Sequence, residues 1–427
     1  MNARYFKYTA WCLFFLIILV LTPQTNAQSV DELKNQITSK NSEIAQLEKE
    51  IAEYQKKIAA TKGQSSTLNA ELARLESSKK KLETDVALTR KKISATELTI
   101  KKLGSEIATS ASKIETNHLA VAAALREMKD ADTFNFTVAF LSNDTLSDFL
   151  NDYATLESFR GKLEAQILEL KKTKTTYEKQ KSESEEEKLA LTSLQSKLAD
   201  QRQIVTQNQS EKSVLLSQTK AQEASYQQLL ADRIAKKNAV EAEIRKAEDA
   251  LNLIVNPGSL PATGRGVIKW PFDKVVVTQY FGNTPFATAN AQIYKGAGHN
   301  GIDLAAAVGT PVKAVLDGTV IGVGDTDLTC PRASYGRWVM VRHNNGLSSV
   351  YGHLSLPKVV EGQTVKTGDI VAYSGNTGYT TGPHLHFTLL ATQGSQIGSL
   401  QSKVPGCGVY RIPLATKEAV LNPLSYL

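Results

Sequence analysis

From Val30 onward the apolar residues return in alternating steps of three and four and keep one register for about 90 residues. One set is Val30, Ile37, Ile44, Ile51, Ile58, Leu72, Val86, Ile93, Ile100, Ile107, Ile114 and Val121. The other is Leu33, Leu47, Tyr54, Leu68, Leu75, Leu82 and Leu103. A strict seven-residue repeat places both sets on one face of an α-helix, with β-branched residues at a and mostly leucine at d, and so predicts a left-handed coiled coil. Polar residues interrupt the seam at Lys40, Thr61, Ser65, Lys79, Thr89, Thr96 and Ser110; they weaken a coil and fix its register. The pattern predicts a helix over 28–129, which at about 1.5 Å per residue would extend on the order of 130–140 Å.

The repeat breaks at Asp130-Ala131-Asp132-Thr133-Phe134-Asn135-Phe136. An apolar and aromatic stretch follows to Phe159, with Asn143-Asp144 as a helix start before Leu146, Phe149, Leu150 and Tyr153. A noisier heptad run then passes through Leu163, Ile167, Leu170, Tyr177, Leu191, Leu198, Val205, Leu215, Tyr226, Leu229 and Val240. The simplest architecture is an antiparallel hairpin, with a helical tip over 130–160 and a returning helix over 161–256. A parallel dimer built on the first helix fits the same Ile-at-a, Leu-at-d pattern. The tip is either a docking surface or a cluster packed on itself. Reach, partner docking and regulation are the functional readings of the arm; a spacer is the structural one.

Two further segments flank the arm. At the start, Arg4 and Lys7 precede an apolar run from Ala10 to Leu21 and the small-residue site Thr25-Asn26-Ala27. The run is short for a membrane span, so residues 1–27 read as a cleaved export signal, with an uncleaved anchor as the alternative. After the arm, Asn256-Pro257-Gly258 marks a change of character, and 257–267 reads as a turn-rich linker. Residues 258–427 hold five of the six histidines, with 13 basic and 8 acidic side chains. A mildly basic domain suits an anionic cell-wall polymer or is simply soluble; no nucleic-acid motif is visible. The two cysteines past the signal, Cys330 and Cys407, form a disulfide in an exported chain or remain free thiols.

Residues 268–427 consist of short runs of β-type residues broken by glycine, which predicts an all-β domain. The expected strands are Val275–Tyr280, Pro311–Val315, Gly318–Val323, Trp338–Arg342, Ser348–Tyr351, Ile370–Ser374 and His386–Leu390. Chemistry gathers in three motifs. His299-Asn300-Gly301-Ile302-Asp303 places a histidine and a carboxylate four apart, in a loop entering a strand because Gly298 and Gly301 disfavour a helix. Tyr351-Gly352-His353-Leu354-Ser355 carries a single histidine. Gly382-Pro383-His384-Leu385-His386-Phe387 sets two histidines two apart, hence on one face of a strand, with Leu385 and Phe387 on the other. Two neutral imidazoles and one carboxylate suit a catalytic zinc, which takes three protein ligands and keeps a fourth position open. The remaining histidines are then available for proton transfer or transition-state stabilisation.

Together with Gly309-Thr310-Pro311-Val312 and Asp317-Gly318-Thr319-Val320, these motifs resemble the lysostaphin-like (LytM-type) zinc metallopeptidases over roughly residues 268–392. The resemblance implies zinc ligands at His299, Asp303 and His386 and a catalytic pair at His353 and His384, whose division of labour it leaves open. It also implies a peptidoglycan endopeptidase acting on cross-bridges or stems. The fold class expected is therefore a multidomain chain, a long coiled-coil arm followed by an all-β lysostaphin-like peptidase domain. Arm plus domain further resembles murein hydrolase activators of cell division, some of which have lost metal residues and work by switching on amidases; a membrane-complex regulator binding the coiled coil is the partner expected for the arm. All five positions are filled here, which favours an enzyme; a non-catalytic activator is the alternative. Other divalent metals could occupy such a site in vitro. His343 and His118 read as structural and solvated residues. Tyr351 either lines the site or packs beside it, and Asn376 and Thr377 are candidates for shaping a substrate groove.

Overall fold

The computed structural model describes residues 30–60, 67–131, 146–283 (apart from 252, 254, 257 and 259) and 298–427. The export signal expected at 1–27 and residues 132–145 of the expected tip lie outside the described residues. Among the described residues, four helices precede the β domain: α1 (Val30–Ala60), α2 (Leu68–Ala131), α3 (Leu146–Thr219) and α4 (Glu223–Asp249). None of the described helices is long and apolar enough to cross a membrane.

The helix expected over 28–129 is two helices. Glu48 pairs with Lys92 at 2.7 Å, and Glu43 with Lys91, contacts between residues more than 40 apart that place α1 back alongside α2. The intervening sequence Thr61-Lys62-Gly63-Gln64-Ser65-Ser66 explains the division. It joins a helix-destabilising glycine to seam positions that offer no apolar burial. The heptad register survives the break, which is why the repeat alone did not mark it. The returning helix is also divided. Lys220 and Ala221 take left-handed backbone (φ 48° and 56°) and turn the chain from α3 into α4.

Two compact units result. In the first, which contains Ile93–Thr192, α2 and α3 pair antiparallel: Ser110 Oγ donates to Gln180 Oε1 at 3.0 Å. The second contains Glu43–Lys92 and Ser193–Leu427, so these helix segments, one of them far from the sheet in sequence, belong to the same unit as the β domain. The linker expected at 257–267 therefore does not separate the compact bodies. Here Lys212 meets Glu76 at 2.6 Å, and Glu223 of α4 accepts from the Leu68 amide at the start of α2 (2.8 Å). Leu82 and Ile204, from α2 and α3, are buried with Val308 and Tyr373 of the β domain. Val240 and Ile244 of α4 pack with Ala333, Tyr410 and Ile412.

The β domain is an antiparallel sheet followed by a hairpin. Its strands are β1 (Val277–Gln279), β2 (Ile302–Ala305), β3 (Pro311–Lys313), β4 (Gly318–Asp325), β5 (Arg337–His343), β6 (Leu347–Pro357), β7 (Thr364–Val365), β8 (Ile370–Ser374), β9 (His384–Ala391) and β12 (Val420–Leu421). The main path runs β1-β2-β9-β6-β5-β4-β7, with β12 beside β9 and β8 joining β3 to β6. The hairpin is β10 (Ser395–Gln401) with β11 (Val409–Ala415). Strand alternation sends Ile302, Leu304, Leu385, Phe387 and Leu389 into the main core. The alternate positions on β2 and β9, Asp303, His384 and His386, therefore emerge together on the opposite face. Cys330 and Cys407 are joined by a disulfide across a separation of 77 residues, tying the loop before β5 to the β10–β11 connection.

Candidate metal centre

Three adjacent strands build the site. On β2, Asp303 lies directly across from His386 of β9, and Ala305 across from His384. On the other flank of β9, Gly352 of β6 lies across from His386, and His353 follows it. His299 precedes β2 and is fixed by reciprocal backbone hydrogen bonds with Gly282, His299 N to Gly282 O at 2.9 Å and Gly282 N to His299 O at 2.8 Å. Gly298 (φ 75°) makes that approach possible: a Cβ there would come within 2.6 Å of the Gly282 carbonyl carbon. The five residues read from the sequence are thus gathered by register, although His299 and His386 are 87 positions apart in the chain.

The ligand atoms converge. His299 Nε2 is 3.1 Å from His386 Nδ1 and 3.3 Å from Asp303 Oδ1, and His386 Nδ1 is 3.0 Å from Asp303 Oδ1. Among the described residues these three form a cluster with one donor atom each, all within 4.8 Å of one another. Two imidazole nitrogens and a carboxylate oxygen facing one point fit zinc, whose catalytic sites use such N/O sets. Each histidine is braced on its far side. His299 Nδ1 lies 3.1 Å from the Tyr280 carbonyl, so it carries the proton and leaves Nε2 to the centre. His386 uses Nδ1 toward the centre and Nε2 toward Thr388 Oγ1, at 3.0 Å.

Electrostatics favour the ligand forms. Burial alone would push the Asp303 carboxyl up, but His384 and the close contacts with His299 and His386 outweigh it and hold Asp303 well below the usual carboxylate range. Burial lowers His386, so its imidazole is neutral near neutral pH. Burial first, and then the neighbouring His384 and His386, which disfavour a third cation beside them, lower His353 well below the usual histidine range.

His353 and His384 stand side by side with ring centroids 4.7 Å apart. His353 Nδ1 lies 2.9 Å from the Thr377 carbonyl and His384 Nδ1 lies 2.8 Å from the Gly382 carbonyl. A carbonyl can only accept, so each imidazole in its neutral form carries its proton on Nδ1 and presents a lone pair at Nε2. His384 Nε2 is 3.6 Å from Asp303 Oδ1. His353 is held with φ 59°, left-handed backbone that is uncommon outside glycine, and its amide donates to the Tyr335 carbonyl at 2.8 Å. All four histidines of the site are buried, each less than 9% exposed.

The other candidates separate. Tyr351 is fully buried on the core side: its hydroxyl accepts from the Val315 amide at 3.1 Å and its ring packs on Phe387. His343 is structural, bridging the Asp317 carbonyl and Ser349. His118 lies exposed on α2. Thr377 positions His353 through its carbonyl, and its own hydroxyl donates to the Leu354 carbonyl at 2.7 Å. Asn376 accepts at its carbonyl from Arg332 Nη1 (2.6 Å). In the amide orientation that satisfies both ends, its side-chain oxygen also accepts from Arg74 Nη2 at 2.9 Å. Sequence reasoning missed Tyr335, whose ring centroid is 5.7 Å from that of His386. The available signal was Tyr335-Gly336: Gly336 (φ 62°) crosses Gly378 so closely that a Cβ would lie 2.2 Å from the Gly378 amide nitrogen. Such a crossing fixes the tyrosine beside the loop that precedes His384.

Residues 297–398 match Peptidase family M23, and these residues form an M23 metallopeptidase domain. A Haemophilus influenzae protein described as an uncharacterized metalloprotease is 44% identical over 25% of this chain and 22% of its own length. The DD-carboxypeptidase/endopeptidase Mpg of Neisseria meningitidis serogroup B is 44% identical over 21% of this chain and 19% of its own. The catalytic domain of the antimicrobial peptidase lysostaphin from Staphylococcus simulans aligns at 26% identity, covering 35% of this chain and 90% of that domain, with a TM-score of 0.25. The chain spans about a fifth of the length of the curated relatives named here.

Proposed function

We propose that this chain, which carries an M23 metallopeptidase domain at residues 297–398, is an exported zinc-dependent peptidoglycan endopeptidase. On this reading it acts in the periplasm or cell-wall space, in wall remodelling or daughter-cell separation, and its helical arm regulates it. The observation that carries the reading is the convergence of His299, Asp303 and His386 with two further histidines alongside.

Zinc bound by His299, Asp303 and His386 would supply Lewis acidity, polarising a peptide carbonyl and lowering the pKa of water. The chain's own residues do the rest. The Nε2 lone pairs of His353 and His384 are aimed by the Thr377 and Gly382 carbonyls, without rearrangement when a proton arrives. One imidazole takes a proton from the water whose oxygen attacks the carbonyl carbon and returns it to the amine as the C–N bond breaks. The other, in its imidazolium form with hydrogen on both ring nitrogens, donates from Nε2 to the oxygen on which negative charge develops. The named relatives include a protein called a DD-carboxypeptidase/endopeptidase, which supports a wall peptide as substrate.

Regulation by the arm is supported by what packs against the loop leading to His384. Arg74, paired with Glu71, sits 2% exposed beside Asn376, and Lys237 lies 4.1 Å above the Tyr379 ring. Tyr226 and Arg233 of α4 complete a cavity of about 50 Å³ with Gly378 and Gly382. On this reading a membrane complex that engages the helices would lift them from this loop. The test is release of free amines from purified walls by the zinc-loaded chain, beside its Asp303→Ala form. Digestion by the unsubstituted chain only, abolished by chelation, is the expected result. Stimulation of a second hydrolase by both forms, with no cleavage by either, would replace the endopeptidase by an activator.

A further inference from the structure

His299 and His386 are braced by different means. The far nitrogen of His299 meets a backbone carbonyl, which can only accept. That of His386 meets the Thr388 hydroxyl, which can donate or accept. If Thr388 donated, His386 would keep its proton on Nδ1 and offer no lone pair where Asp303 and His299 converge. Something must therefore commit the Thr388 proton elsewhere.

Tyr335 provides the commitment. Asn300 Nδ2 donates to the Tyr335 hydroxyl at 3.1 Å and fills one lone pair. Thr388, 1% exposed, also hydrogen-bonds the same phenol oxygen, whose second lone pair can accept the threonine proton. With that proton spent on Tyr335, Thr388 faces His386 as an acceptor. His386 then carries hydrogen on Nε2 and a lone pair on Nδ1. We propose that Thr388 and Tyr335, backed by Asn300, are positioning residues that select the His386 tautomer able to bind the metal. This rests on the zinc reading above. Histidine metal ligands commonly donate their other nitrogen to a carboxylate or carbonyl; here a hydroxyl serves, made one-directional by a phenol and an amide.

The experiment measures zinc affinity of the full chain by competition with a chelating dye, and the visible spectrum of its cobalt(II) form. Thr388→Val removes the acceptor with little change of shape and is expected to weaken zinc by about 10–100-fold and to alter the cobalt spectrum. Thr388→Ser keeps the hydroxyl and is expected to restore both. Tyr335→Phe frees the Thr388 proton and is expected to weaken zinc in the same direction. Unchanged affinity in Thr388→Val, or a loss in Thr388→Ser as large as in Thr388→Val, would overturn the positioning role, the second because packing alone would then explain it. Absence of zinc binding by the unsubstituted chain would overturn the metal reading and this role with it.

Discussion

At the residue scale, the two halves of the site answer differently to substitution. Asp303 lies against His299, His384 and His386, so Asp303→Ala is expected to abolish tight zinc binding, read by metal content after dialysis. His353 touches the ligands less directly, with its ring centroid 5.8 Å from that of His386. His353→Ala is expected to keep zinc while lowering turnover by about 10²–10⁴-fold, the range for losing a proton-transfer group. A third residue makes a prediction away from the centre. Burial pushes the Glu248 carboxyl up to about 7, although the Ala415 backbone hydrogen-bonds it. Between pH 4.5 and 7 the folded chain holds a proton that the unfolded chain releases, so this contribution is full below 4.5 and is lost as pH rises through 7. Glu248→Gln should therefore gain stability at pH 8 relative to pH 4, by about 2 kcal/mol after discounting for partial exposure, as measured by denaturant unfolding at the two pH values.

At the element scale, β9 organises the chemistry because it is flanked by β2 on one side and β6 on the other. Period-two alternation made the shared face of His384 and His386 readable in advance, and the glycines around His299 correctly argued for a loop. The pairing of Asp303 with His386 was not readable, since register between strands more than 80 residues apart depends on the whole sheet. The helices show the same limit. Gly63 and its polar neighbours marked a break that the heptad register concealed, whereas Lys220 and Ala221 carry no breaker signal and turn through left-handed backbone all the same. Ile204 is 1% exposed because it faces Val308 and Tyr373 as well as Leu82; a heptad scheme, which favoured its neighbour Val205, has no place for a partner outside the helices. Leu82→Ala should empty this contact, cost about 2–5 kcal/mol, and, on the regulatory reading, raise wall digestion by the full chain. Loss of stability with no rise in digestion would separate packing from regulation.

For the whole molecule, the division into compact bodies falls inside the helices and leaves Glu43–Lys92 with the sheet. Removing the helices up to 257 would therefore strip Leu82, Ile204, Val240 and Ile244 from their partners in the β domain. The shortened domain is expected to melt lower than the full chain, even if its digestion is faster. Arg74→Glu is the gentler test, because it places a carboxylate beside Asn376 while leaving these apolar contacts in place. It is expected to raise wall digestion several-fold without lowering zinc content.

The disulfide also bears on the backbone that carries His353. Cys330 lies five residues before Tyr335, whose carbonyl holds the His353 amide, and Cys407 anchors that loop to the hairpin. With the bond open the loop would be slack, and closing the bond would draw it taut. Faster amide exchange at Tyr335–Arg337 in the reduced protein than in the oxidised one would record that tightening. On the proposed reading, closure of this bond would couple the backbone that carries His353 to the redox state of the compartment the chain enters.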